Sequence, residues 1–142
     1  MRHAVTKEDQ AFKHQVEACE YPVAEFDHRA HLRLAYVYLC AHGTDRAIRR
    51  MRDTILGLLR QAGVDPEGKY HQTMTEAWIL AVHHFMNKTK CSESADDFIS
   101  QNPMMLDSKI MLTHYSAELL FSEEARRSFV EPNLDPIPRH PS

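Results

Sequence analysis

The chain has 142 residues, enough for one domain with its own core, and 43% of them are hydrophobic against 26% charged, an ordinary globular composition. Lys and Arg together number 17 against 20 Asp and Glu, a net charge of −3, which argues against nucleic acid as a partner. The longest apolar run, Ala77 to Val82, is far too short to span a bilayer, and the N-terminus has no apolar h-region. Cys19, Cys40 and Cys91 are odd in number and lack C-x-x-C spacing, so a reduced, cytoplasmic chain is expected.

Only four glycines and no alternating β-branched run predict an all-α, single-domain helical bundle over residues 1–130, followed by a Pro-rich tail over 131–142. Thr6-Lys7-Glu8-Asp9 starts a first helix that runs to about Cys19, with Phe12, Val16 and Cys19 on one stripe. Asp27 caps a second, from His28 to about Ala41, ended by His42-Gly43. Its inward stripe is Leu32, Ala35 and Leu39, and one turn back along that stripe lie His31 and His28.

Thr44-Asp45 caps a third helix, to about Ala62, with Ile48, Met51, Ile55, Leu58 and Leu59 in helical period. Arg46, Arg49, Arg50, Arg52 and Arg60 lie on its other side and read as a solvated face. A turn at Val64–Gly68 precedes a fourth helix, from about Lys69 to Asn87, whose inward stripe begins at His71 and continues through Met74 or Thr75, Trp78, Val82 and Phe85. Ser92 is expected to cap a short helix to Ser100. Residues 104–112 are expected to be helical in their later part, Ser116 to cap a turn through Leu120, and Ser122 to cap a last helix ending near Val130.

Short connections make successive helices antiparallel neighbours. The second and fourth helices then start at one end of the bundle, which places His28, His31 and His71 together. By His114 the chain has had enough residues to return to that end. Imidazoles at one point suit a divalent transition metal (Fe, Zn or Cu). Three of them, His28, His31 and His71, leave a position open for water, dioxygen or a small acid, with His114 as an optional fourth. On this expectation His28, His31, His71 and His114 are metal ligands, and His71 and Tyr115 are catalytic. Lys69, Tyr70, Thr75 and Trp78 bind a small-molecule substrate, anionic in character because two helix N-termini face it. The reaction class, hydrolytic or non-heme oxidative, stays open.

Two alternatives stand beside it. One is a metal-free pocket for a small acidic or aromatic ligand, with His71 or His114 as general base. The other is a non-enzymatic scaffold whose helices and tail bind another protein. Association into a homo-oligomer is compatible with all three.

The strings Phe26-x-His28-x-x-His31-Leu32, Lys69-Tyr70-His71-x-Thr73-x-Thr75, His114-Tyr115-Ser116 and Phe129-Val130-x-Pro132 resemble small bacterial all-helical proteins, over about Phe26 to Pro138. The resemblance implies that these are signature positions and implies no activity. The late H-x-x-x-H pair of the DinB-like metal bundles is absent.

Overall fold

Each helix begins where a side chain can accept one of the N–H groups that a first turn leaves unbonded. In the computed structural model, which describes residues 3–141, seven α-helices and four 3-10 turns follow one another. No strand occurs among the described residues beyond an isolated bridge between His3 and Ser92. The expected all-α fold is present.

Helix α1 is Lys7–Glu17, opened by a reciprocal capping box between Thr6 and Asp9. Cys19 lies beyond it at a φ of 60°, so it does not continue the buried Phe12–Val16 stripe. Helix α2 is His28–Ala41, and the Asp27 carboxylate accepts the Ala30 N–H at 2.9 Å. Helix α3 is Thr44–Gln61. Its N-cap is Gly43 rather than Thr44, which is already helical, and Gly63 leaves the far end at a φ of 76°, a left-handed conformation that glycine adopts without penalty.

Helix α4 is Gln72–Lys88, three residues later than the sequence suggests. The preceding turn continues as a 3-10 segment at Pro66–Gly68, and the Lys69 and Tyr70 N–H groups are both taken by the Pro66 carbonyl. His71 therefore has extended backbone and serves as the N-cap. Helix α5 is Ala95–Gln101, capped by Ser94. Ser92, the expected cap, is buried instead, with its hydroxyl 2.6 Å from His3 Nδ1 and 2.7 Å from the Tyr36 hydroxyl. Two 3-10 turns, Pro103–Leu106 and Ser108–Thr113, replace the expected helical segment. Helices α6, Ala117–Leu120, and α7, Glu123–Arg127, are capped by Ser116 and Ser122 as expected, and α7 stops short of Val130 because Ser128 is extended.

Helix α2 occupies the centre of the fold, touching α1, α3, α4 and α5. This explains why Leu32, Leu34, Ala35, Tyr36, Val37 and Tyr38 are buried on more than one face: a helix with neighbours all round is apolar all round. Helix α4 lies against it with Ala77, Ile79 and Val82 wholly buried. The tail runs over the surface and is held by Ile137, which is buried, and by backbone bonds from Leu134 and Asp135 to His114 and Thr113. No helix among the described residues is long and apolar enough to cross a membrane.

Candidate functional site

The openings of α2 and α4 meet. They enclose a cavity of about 350 Å³, within the size range of small-ligand pockets. Helix α2 and the turn before it supply Phe26, Asp27, His28 and His31. The segment leading into α4 supplies Lys69, Tyr70 and His71, and its first turn Met74 and Thr75, while Ile55 of α3 closes the side. Six residues singled out from the sequence thus converge: His28, His31, Lys69, Tyr70, His71 and Thr75.

The other three do not. Trp78 is buried behind the cavity with its ring centroid 4.6 Å from that of His28, so it braces an imidazole and does not form the floor. Tyr115 is fully buried, and its hydroxyl donates to the Val130 carbonyl at 2.7 Å, tying the tail down. Burial pushes that phenol up to about 12. His114 lines a different cavity, with His84, Phe85 and Lys88 near the end of α4, and donates from Nδ1 to the Asp135 carbonyl at 2.8 Å. The chain returns to the expected end early: the Met105 carbonyl already reaches His28. By His114 it has passed back along α4.

Within the cavity the imidazoles differ in what they have free. His71 Nδ1 accepts the Met74 N–H at 3.1 Å, completing the cap, and its Nε2–H donates to the Leu120 carbonyl at 2.7 Å. Both ring nitrogens are occupied and the tautomer is fixed. Burial holds the His71 pKa below the ordinary histidine value, opposed by the Leu120 carbonyl and aided by the charge of Arg126. His28 Nε2–H donates to the Met105 carbonyl at 2.8 Å, which leaves Nδ1 as its acceptor nitrogen.

His31 is the exception. Among the described residues its Nε2 is sealed from solvent and has no hydrogen-bond partner, while the residue as a whole is only half-buried and lines the cavity. Burial, with a smaller contribution from His28, depresses its pKa to about 4, so the ring is neutral at neutral pH. A buried polar atom without a partner costs about 1–3 kcal/mol, and such atoms are rare enough in folded proteins to require a reason.

The other polar groups have settled duties. The Thr75 hydroxyl donates to the His71 carbonyl at 2.9 Å and the Tyr70 hydroxyl to Gln72 Oε1 at 2.7 Å. Asp27 is spent on its cap. Lys69 is exposed at the mouth.

The expected ligand set can be tested on these lone pairs. A neutral imidazole binds a metal through the nitrogen that carries no proton. At His71 that nitrogen is taken by the Met74 N–H, and His114 stands at another cavity. No group of three or more His, Cys, Asp or Glu side chains among the described residues is placed to hold an ion. The side chains as arranged do not form the four-histidine centre, nor its three-histidine version.

Sequence reasoning missed Phe26, Ile55 and Met74 as cavity walls; their spacing marks them only as apolar. It also missed the far-end histidines. His84 Nδ1 lies 2.8 Å from His140 Nε2, and the two ring planes are 14° apart. No family model matches the chain, and no curated protein or solved structure shows significant similarity to it.

Proposed function

We propose that this protein binds a small organic acid without a metal, in the cavity between the starts of α2 and α4, with His31 as its hydrogen-bond partner. One observation carries the reading: His31, whose Nε2 has no partner among the described residues, lines a ligand-sized cavity. A carboxylate entering the cavity supplies the missing partner once the His31 ring turns its Nε2 toward it. Lys69 at the mouth and the positive ends of two helices favour its negative charge. Phe26, Ile55 and Met74 give it an apolar wall. With a pKa of about 4 His31 is a weak base at neutral pH, so it takes the ligand-facing place that the sequence assigned to His71 or His114 as a binding group.

Benzoate is the first probe, since it offers one carboxylate and one apolar face. It is expected to raise the melting temperature of the purified protein, with the rise surviving a chelator and disappearing in His31→Leu. A rise that needs added Zn²⁺, Fe²⁺ or Cu²⁺ would return the site to metal chemistry. No rise under either condition would remove the ligand-binding reading.

A further inference from the structure

Beside the histidine cavity lies a larger cleft of about 590 Å³, built by α3, the Pro66–Gly68 turn and α7. Tyr70 lines both, so the two spaces are neighbours across one aromatic ring. Four guanidinium groups face the cleft, from Arg52, Arg60, Arg126 and Arg127, with Leu56 as an apolar wall. In the sequence, Arg52 and Arg60 belong to a face that reads as merely solvated. The fold brings Arg126 and Arg127 from some seventy residues away to oppose them.

The pairing of these charges decides what the cleft can take. Arg127 is paired with Glu123 at 3.5 Å along its own helix. Asp65 is occupied by the Glu67 N–H at 3.1 Å. Among the described residues Arg52 pairs only with its chain neighbour Asp53, at 3.9 Å, and Asp53 does not line the cleft. Arg60 and Arg126 form no ion pair among the described residues. Arg126, half-buried, donates from Nη2 to the Gly68 carbonyl at 3.0 Å, which anchors its guanidinium at the turn leading to Tyr70 and His71. The cations are felt there: Arg126 lowers the pKa of His71 and Arg52 that of Tyr70, although burial is the larger influence on each. Four guanidinium groups against the carboxylates of Asp65, Glu67 and Glu123 leave an excess of one positive charge. That balance fits one oxyanion group, bound in the forked manner of arginine, and does not fit a polyanion.

We propose that Arg52, Arg60 and Arg126 form an oxyanion site for a phosphoryl or carboxylate group of a small molecule whose other end enters the histidine cavity. The second half of this statement rests on the histidine cavity being a ligand pocket; the oxyanion site itself does not.

The test uses inorganic phosphate and acetate as probes, titrated at constant ionic strength into the full chain, into an Arg52→Gln/Arg60→Gln double variant and into His31→Leu. Both arginines are exposed, so the double variant is expected to keep its helical circular dichroism. Phosphate or acetate is expected to bind the wild type with a millimolar Kd that weakens about tenfold or more in the double variant. His31→Leu is expected to keep that affinity. Preference for phosphate identifies a phosphoryl group, and preference for acetate a carboxylate. Absence of binding up to roughly 10 mM, or an affinity the double variant retains, overturns the oxyanion site. Benzoate separates the two readings. If benzoate binding is lost with His31 while phosphate and acetate never bind, the cleft alone is refuted. If phosphate binds through the arginines and benzoate never binds, the oxyanion site stands and the histidine pocket falls.

Discussion

At the start of α4, His71 has a partner at each ring nitrogen, one from its own helix and one from α6; at the start of α2, His31 Nε2 is shut off from water and has none among the described residues. The two side chains share a cavity and a chemistry, yet only the first can be explained by folding. His71 satisfies a helix N–H and a carbonyl that would otherwise be unbonded, so it stabilises the structure. His31 Nε2 makes no such bond among the described residues, and the proposed ligand is what would supply one. A cluster of histidines is therefore not one signal. The hydrogen-bond partners of each ring separate those that folding satisfies from the one it leaves open.

The comparison breaks first at His71. Replacing it with Ala removes an N-cap interaction and strands the Leu120 carbonyl, for an expected loss of about 3 kcal/mol in urea unfolding. A loss under about 0.5 kcal/mol would mean that the two rings are not different in kind.

Acid gives the next effect. The folded-state pKa of His31 is about 4, against an ordinary value of 6.5. Between those values the unfolded chain binds the extra proton and the folded chain does not, so stability falls as pH drops. Little changes above pH 6.5. The contribution is about 2 kcal/mol at pH 5 and approaches about 3 kcal/mol below pH 4. His71 acts in the same direction. The measurement is therefore the difference between wild type and His31→Leu across pH 4 to 7.5, which isolates the His31 part.

The smallest effect has the most telling sign. At pH 7.5, His31→Leu removes an unpaired buried nitrogen and replaces it with a side chain of similar size. Stability is expected to rise by about 1 kcal/mol, together with loss of benzoate binding. A destabilised variant would show that His31 has a partner that folding provides.

Much of this site was legible before the structure. Asp27 marks the start of α2, and the Leu32–Ala35–Leu39 stripe fixes which way His28 and His31 face. The length of the connections brings the α2 and α4 openings to one end. Hidden from the sequence was whatever depends on atoms rather than faces. Nothing in Lys69-Tyr70-His71 shows that Pro66 draws the chain into a 3-10 turn, moving the helix start to Gln72 and making His71 a cap. His114 was misplaced because counting residues does not show that Met105 has already reached His28. The arginine cleft was hidden for a similar reason, since its two halves lie on α3 and α7 and neither is unusual alone.

Ring-nitrogen NMR of the histidines reads the state of His31 directly. In a titration from pH 8 to pH 4 with and without benzoate, His31 is expected to stay neutral well below pH 6.5 and to be the histidine whose ring-nitrogen shift benzoate moves most. A His31 that titrates near 6.5 and ignores benzoate would contradict the account.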